Sequence, residues 1–306
     1  MLTEIQKRLL AEVADLKAAP KGAYNIRSDG ESAARNTTEN INIVTKTDKP
    51  GIDIIIKPGT KGEDVHIPVI ISRDGYQETV YNDFFIGEDA DVTIIAGCGI
   101  HSTGCELTEH SGVHTFYVGK NAKVKYIEKH YGEGEGTGER VMNPSTVIVM
   151  EENSYMEMET AQIRGVDSTY RSTKATLGDK AVLKIGEKIM THGRQSATTD
   201  FEVDLNGVDC GCHVVSRSVA KDDSKQLFIS CMNGNNRCHG HTECDSIIMD
   251  NGNVAAVPKV NANNVEASLI HEAAIGKIAG EQLIKLMTLG LTEKEAEERI
   301  VNGFIS

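Results

Sequence analysis

The sequence predicts a mainly β protein, built as a parallel β-solenoid between helical ends. Glycine is plentiful, with 29 residues, whereas aromatic residues make up 5% of the chain and tryptophan is absent. Stretches of alternating apolar and polar residues recur between turn signals, which favours an elongated β architecture over a compact helical one. An internal repeat supports this prediction, because self-similar units of this size are typical of solenoids.

Five related segments carry the repeat, each with a polar turn followed by a strand-like stretch. They are GEDADVTI from Gly87, GKNAKVKY from Gly119, EENSYMEM from Glu151, GDKAVLKI from Gly178 and LNGVDCGC from Leu205. Their starts are 32, 32, 27 and 27 residues apart. Alternate residues after the turns should face one side of a strand: Val92 and Ile94, Val124 and Tyr126, Met156 and Met158, Leu183 and Ile185. One unit cannot bury its own apolar face, so the units are expected to stack.

Helical patterns stand at both ends of the chain. Residues 3–18 are predicted to form an amphipathic helix in which Thr3 and Gln6 make a capping box. After Val265 the pattern turns helical again, in AGEQLIKLMTLG and then in TEKEAEERIVNGF, where Thr292 and Glu295 make a second capping box. The predicted divisions are 1–40 for the N-terminal helix and linker, 41–265 for the solenoid core and 266–306 for the C-terminal helical segment.

Charge and cysteine content restrict the class of protein. The formal net charge of −13 repels phosphate backbones and anionic lipid, so we expect neither a nucleic-acid nor a membrane partner. The N-terminal helix is charged throughout and does not resemble a signal peptide. Seven cysteines fit free thiols in a reducing compartment better than a disulfide framework. A soluble, cytoplasmic protein is expected.

The segment NRCHGHTECDS, residues 236–246, is the densest group of possible metal ligands. On a strand, Cys238 and Cys244 would point to one face, and His239, His241 and Glu243 to the other. A closed zinc site from these residues alone would need ligands from both faces, and no CxxC pair is present. Two readings stay open at this point: an inert buried Cys244, or a reactive thiol near His271 and Glu272 at the predicted start of the helical segment.

Further cysteines and histidines occur upstream. Five possible ligands lie in AGCGIHSTGCELTEHSGVH, but their spacing matches no metal motif, so a polar loop is predicted there with metal binding as the alternative: Cys98, His101, Cys105, His110 and His114. Cys210 and Cys212 alternate onto one strand face, where inward packing is the simplest interpretation.

The C-terminal part of the sequence resembles the SufB/SufD family, the scaffold subunits of the Suf iron–sulfur cluster assembly machinery. The resemblance covers roughly residues 85–305. Its motifs are CDSIIM from Cys244, HEA from His271 followed by GKI, then EQL and RIVNGF, with support from SRSVAKDDSKQ and EKHYGEGEGTGERVMNP.

The resemblance implies a right-handed parallel β-helix whose C-terminal helices dock a SufC-like ABC-type ATPase. It also implies that subunits pair through their β-helices and that a nascent cluster forms at the junction. Cys244 matches the cluster-site cysteine, Glu272 the essential carboxylate and His271 the neighbouring histidine. SufB-type subunits supply the cysteine and glutamate, and SufD-type subunits the histidine. This chain has all three, so it looks SufB-like.

Two departures from the family pattern are expected to matter. Better-known SufB members have an upstream cysteine proposed to receive sulfur, where this chain has Met150, and a thioether cannot carry a persulfide. Cys98, Cys105, Cys210, Cys212 and Cys238 could each take its place in a sulfur relay, and Cys212 and Cys238 are preferred because they lie on neighbouring predicted strands. The chain is also shorter than larger members, so a homodimer with two ATPase subunits is predicted, with a SufD-like partner as the alternative.

The sequence therefore predicts a non-enzymatic scaffold that holds iron and a transient iron–sulfur cluster at Cys244, Glu272 and His271. A cysteine desulfurase would supply the sulfur. The alternatives are a β-helix carbohydrate-active enzyme, which the absence of tryptophan and of a signal peptide disfavours, and a structural metal-binding β-solenoid with inert cysteines.

Overall fold

The computed structural model describes residues 2–305. Three helices are present in this range: α1 (Glu4–Ala14), α2 (Gly280–Thr288) and α3 (Glu293–Ile305). The first ten strands are β1 (Ala23–Ser28), β2 (Glu31–Asn36), β3 (Ile41–Thr45), β4 (Gly51–Ile56), β5 (Lys61–Ile71), β6 (Gln77–Ile86), β7 (Asp91–His101), β8 (Thr108–Val118), β9 (Lys123–Glu133) and β10 (Arg140–Met142). The other ten are β11 (Ser145–Met150), β12 (Tyr155–Arg164), β13 (Ser168–Leu177), β14 (Val182–Thr191), β15 (Ser196–Leu205), β16 (Cys210–Ala220), β17 (Lys225–Gly234), β18 (Cys238–Ile248), β19 (Asn253–Ala262) and β20 (Ala267–Gly276).

The strands form a β-solenoid of about 8 turns, as the sequence repeat predicts. Two sheets make its walls. The first has the order β2-β1-β5-β7-β9-β12-β14-β16-β18-β20, and the second runs from β3 through β4, β6, β8, β10 with β11, β13, β15 and β17 to β19. Neighbouring strands are parallel except in the hairpins β1–β2 and β3–β4. Inward side chains of the two sheets meet in one long core.

Each predicted repeat contributes one strand to the first sheet. Val92, Val124, Met156 and Leu183 lie beside one another on four successive strands and are buried. The turn before each of these strands contains a left-handed residue, Asp89, Asn121, Asn153 or Lys180, with φ between 55° and 58°. Three of the four are Asp or Asn, which tolerate this conformation better than most side chains.

The solenoid extends beyond both predicted boundaries. Residues 23–36, predicted as linker, form β1 and β2, and β1 pairs in parallel with β5. At the other end, residues 267–276 form β20 in parallel with β18, where a helical segment is predicted. The reason is that Ala23, Ala267 and Leu269 pack against the solenoid core, which a separate linker or helix would leave uncovered.

Helices α1 and α3 cover parts of the outer surface of the first sheet. The predicted Thr3–Gln6 capping box is present on α1. The helix ends at Ala14, earlier than predicted, because the next residue, Asp15, adopts a left-handed conformation. Gly97 allows α1 to approach the sheet, since a Cβ there would lie 2.4 Å from the Val13 carbonyl oxygen. The Thr292–Glu295 capping box of α3 is also present.

Within residues 2–305, no helix combines the length and apolar character that crossing a bilayer requires.

Candidate functional site

Cys244 lies inside the solenoid, one turn before its C-terminal end. Its side chain is on the inward face of β18 and is only 1% exposed. Ser216 of β16 lies beside it on one side and Ala273 of β20 on the other. Because β20 is the last strand of this sheet, Ala273 is the small residue that separates Cys244 from the end of the solenoid.

The surroundings of Cys244 favour the neutral thiol. Burial raises its pKa to about 11, with smaller contributions from the Glu187 and Asp245 carboxylates. The Ser246 hydroxyl, with its Oγ 4.0 Å from the Cys244 Sγ, opposes this shift only in part. A thiolate at this position therefore needs a compensating positive charge, such as a metal cation.

His271 and Glu272 lie on β20, and their side chains point to opposite faces. His271 is beside the buried Thr242, so it shares the inward face with Cys244, and its Nδ1 atom is buried without a hydrogen-bond partner. Glu272 is beside Glu243 on the outward face and is exposed. The structure thus brings Cys244 and His271 to the same face, but the three predicted ligands do not converge within one chain.

Glu272 belongs instead to a group of ligands on the outer surface. One ligand atom from each of His241, Glu243 and Glu272 lies within 4.8 Å of the others. The His241 ring stacks on the His213 ring, with centroids 4.9 Å apart and an interplanar angle of 21°. Strand alternation predicts that His241 and Glu243 share a face, but the sequence does not indicate that Glu272 joins them, because its segment is predicted to be helical.

The proposed relay cysteines are buried far from Cys244. Cys238 is paired with Cys210, and Cys212 is paired with Gly240. Cys238 precedes Cys244 by six residues on one strand, which corresponds to about 20 Å. Burial raises the pKa of Cys212 to about 12. Direct sulfur transfer from either candidate to Cys244 needs contact between sulfur atoms, and this arrangement does not provide it.

A row of polar side chains, which the sequence reasoning missed, leads to Cys244 through the solenoid interior. On successive strands of the first sheet the inward positions are occupied by Glu128, Thr160, Glu187, Ser216 and Cys244. The Ser216 hydroxyl donates to the Glu187 carboxylate at 2.7 Å. The interior beneath Cys244 is therefore polar over several turns.

Arg171 of β13 crosses the interior to this polar row. Its Nη1 atom lies 2.5 Å from Glu128 Oε2, and its Nε atom lies 3.6 Å from Glu187 Oε1. Burial alone would raise the pKa of Glu128, but Arg171 and His130 hold it well below its usual value. At Glu187 burial dominates, and its pKa is raised despite Arg171. The guanidinium of Arg171 thus lies near two buried carboxylates, and it offsets the burial of Glu128 more fully than that of Glu187.

The upstream cysteine and histidine segment is mostly strand. Cys98 and His101 lie on β7, His110 and His114 lie on β8, and the predicted loop is confined to residues 102–107. The buried histidines have separate partners: His110 Nδ1 is 3.2 Å from Glu78, and His114 Nδ1 is 2.8 Å from the Tyr126 hydroxyl. Burial lowers the pKa of His114 to about 4, so this imidazole is neutral.

Helix α3 packs on the outer surface of the first sheet, where Val301, Ile305 and Phe304 contact the buried Val219 and the partly buried Ile247. By contrast, α2 has no buried residue. Its apolar residues Ile284 and Met287 are exposed to solvent. The C-terminal helices are therefore anchored to the solenoid through α3, and α2 presents an uncovered apolar surface.

These features define a β-solenoid with a buried cysteine at one end and a helical extension. The family model for the SUF system FeS cluster assembly SufBD core domain matches residues 76–304. The chain therefore belongs to the SufBD family. This membership supports a role in iron–sulfur cluster assembly in general.

Relatives in archaea agree with this assignment. An iron–sulfur cluster assembly SufBD family protein of Methanothermobacter thermautotrophicus (strain Winter) is 29% identical over 253 residues, covering 78% of this chain and 58% of the relative. Proteins of the same description in Methanocaldococcus jannaschii and Pyrococcus horikoshii are 28% and 27% identical, covering 82% and 77% of this chain and 79% and 71% of the relatives. The chain spans less than two thirds of the Methanothermobacter relative.

Proposed function

We propose that this chain is a non-enzymatic scaffold on which an iron–sulfur cluster is assembled in the cytoplasm. Cys244 supplies the sulfur ligand or persulfide, and His271 and Glu272 offer further ligands for iron. The iron and the nascent cluster are cargo, held until a recipient takes them. The observation that carries the proposal is the position of Cys244 in a chain of the SufBD family. Cys244 is buried, has polar side chains next to it in the solenoid interior, and is separated from the solenoid end by Ala273.

Two subunits are needed to complete the ligand set. Within one chain His271 faces inward with Cys244, whereas Glu272 faces outward. Association of two chains through their last turns would bring the end of one solenoid, with its Cys244, next to β20 of the other. Exposed apolar residues on the last turn, such as Val257 and Val260, support such an interface. The arrangement is a homodimer, and a SufD-like subunit could take the place of one copy.

A mixed ligand set suits a scaffold that releases its cluster. Thiolate is the preferred ligand of iron in such clusters, whereas imidazole and carboxylate replace it in weaker or more labile positions. Because burial raises the pKa of Cys244 to about 11, iron binding has to displace the thiol proton, so cluster formation should release protons and be favoured by rising pH.

A SufC-like ABC-type ATPase would act through the C-terminal helices. The exposed apolar side chains of α2 offer a surface for it, and α3 connects that surface to β16 and β18. Movement of α3 on ATP binding would pull on the strand that carries Cys244 and change access to it. Deletion of residues 279–306 should abolish co-purification of the ATPase, and undiminished binding would refute this assignment.

The proposal also includes the route by which sulfur reaches Cys244. A cysteine desulfurase would deliver persulfide sulfur, and Cys212 and Cys238 stay the candidates for relaying it. Because Cys238 lies about 20 Å from Cys244 along the strand, the relay requires a mobile carrier or opening of the solenoid end. Sulfur arriving directly at the open end would need neither cysteine, and Cys212→Ala and Cys238→Ala variants that still load sulfur on Cys244 would exclude the relay.

The proposal is tested on protein purified anaerobically from cells that co-express the ATPase and a desulfurase. Iron and acid-labile sulfide per chain are measured for the wild type, Cys244→Ala and Cys105→Ala, the last being a control because Cys105 is exposed. The scaffold hypothesis predicts loss of acid-labile sulfide and of the iron that accompanies it in Cys244→Ala, and wild-type content in Cys105→Ala. Equal content in all three proteins would contradict it.

A further inference from the structure

The outer surface of the last turn carries a second group of ligands that does not include a cysteine. We propose that His241, Glu243 and Glu272 form a site for a single divalent cation within one chain. The site lies across the β18–β20 strand pair from the inward face that holds Cys244. It goes beyond the proposed function, because it requires neither a second subunit nor a cluster.

The geometry is close to that of an occupied site. The three ligand atoms lie within 4.8 Å of one another, and His241 Nε2 is 3.5 Å from Glu272 Oε2. Ligand atoms bound at about 2.0–2.2 Å around one ion are separated by roughly 3–4 Å, so small side-chain rotations bring these atoms into range. The site therefore needs no movement of the backbone.

His241 offers a second, independent indication. Its Nε2 atom is buried and has no hydrogen-bond partner, although it faces the carboxylate of Glu272. A buried polar atom without a partner is costly, and a metal ion is one of the partners that removes this cost. The stacked His213 ring packs against His241 and restricts its rotation, which keeps Nε2 directed at the two carboxylates.

The strands that carry the three ligands hold them in place, and the local charge favours a cation. His241 and Glu243 lie on β18, and Glu272 lies directly beside Glu243 on β20, so all three are held by one parallel ladder. Asp245 is close to Glu243 on the same face and adds negative charge, while Arg217 is the nearby cation that opposes it. Three carboxylates against one guanidinium leave a net negative surface for a cation.

The donor atoms identify the class of cation. One imidazole and two carboxylates suit borderline divalent ions such as Fe²⁺, Mn²⁺ or Zn²⁺, whereas soft ions prefer the thiolates that this site lacks. Glu272 is exposed, so solvent could fill the remaining coordination positions. In a protein that handles iron, such a site would hold ferrous iron on the outside of the solenoid, and it would share Glu272 with the proposed cluster site.

Cobalt(II) titration tests the site, because its spectrum reports the ligands as well as binding. The Cys244→Ala chain is titrated anaerobically with Co²⁺ while visible absorption is recorded. We expect saturation at one ion per chain, ligand-field bands, and no sulfur-to-cobalt charge-transfer band. His241→Asn and Glu272→Gln should each weaken binding by more than about tenfold. His239→Asn, an exposed histidine on the same strand face, is the matched control and should leave binding unchanged.

Three results would overturn the inference: affinity unchanged in both His241→Asn and Glu272→Gln, affinity lost equally in His239→Asn, or a charge-transfer band that assigns the ion to a thiolate. Circular dichroism of each variant confirms that the fold is retained. Because Cys244 is absent from the titrated protein, failure of cluster assembly leaves this test intact. Conversely, if cluster loading depends on Cys244 but cobalt does not bind at His241, only the outer site is contradicted.

Discussion

Arg171 is predicted to be the most important single charge inside the solenoid. The side chain is 4% exposed and lies 2.5 Å from the buried carboxylate of Glu128 and 3.6 Å from that of Glu187. Replacing it with Met keeps much of the volume but leaves both carboxylates without their cation. Removing one partner of a buried ion pair costs about 3–5 kcal/mol, because a buried charge is left uncompensated.

The assay is urea unfolding followed by circular dichroism, with Arg237→Met as the control. Arg237 makes a comparable pair with Asp209, but both side chains are about half exposed, and such surface pairs contribute about 0–1 kcal/mol. Arg171→Met should therefore lose several times more unfolding free energy than Arg237→Met. Equal losses in the two variants would refute the reasoning.

The pH dependence of Arg171→Met provides a separate check. Loss of the guanidinium should raise the pKa of Glu128, which Arg171 lowers in the wild type, and should raise the pKa of Glu187 further. A carboxyl group whose folded pKa is raised destabilises the fold once the pH exceeds the unfolded pKa. The stability deficit of the variant should therefore shrink as the pH falls from neutral to mildly acidic values. A deficit that grows on acidification would contradict this.

Three further predictions concern other parts of the molecule. Burial would raise the pKa of Glu78, but its histidine and arginine partners lower it to about 2, so Glu78→Gln should be less stable at neutral pH and approach the wild type as the pH falls below 4.5. Urea unfolding at several pH values measures this, and a constant difference would argue against it. Gly97→Val should displace α1, because its Cβ would meet the Val13 carbonyl, and limited proteolysis should then release the N-terminus faster than in wild type. Iodoacetamide should alkylate the exposed Cys105 well before Cys244, whose pKa is about 11, and mass spectrometry showing the reverse order would contradict the burial of Cys244.

The repeated part of the fold could be predicted because its signals are local. Turn residues such as Asn121 and Asn153 mark each unit, and inward residues such as Val124 and Met156 alternate as a strand requires. The assignment of Cys244 to one face and His241 to the other follows from the same alternation, and the structure agrees.

The polar interior could not be predicted, since its partners are distant in sequence. Glu128 and Arg171 are 43 residues apart, and only the stacking of turns brings them together. The sequence around an inward-facing glutamate does not indicate which arginine compensates its charge. The same reasoning applies to Glu187 and its hydroxyl donors.

The separation of His271 from Glu272 could not be predicted for a different reason. Adjacent residues on a strand point to opposite faces, so His271 and Glu272 separate once residues 267–276 are known to be β20. The sequence indicated a helix after Val265, and that expectation concealed the pairing of Glu272 with Glu243. The helices begin only at Gly280. Their apolar spacing made it difficult to find the boundary between the last strand and the first of these helices.

The measurement that tests the central claim most directly is anaerobic reconstitution of the reduced protein with ferrous iron and sulfide, followed by visible absorption. The scaffold account predicts the charge-transfer absorption of an iron–sulfur cluster in the wild type and in Cys105→Ala, and its loss in Cys244→Ala. Cluster absorption of equal intensity in Cys244→Ala would contradict the assignment of Cys244 as the cluster ligand.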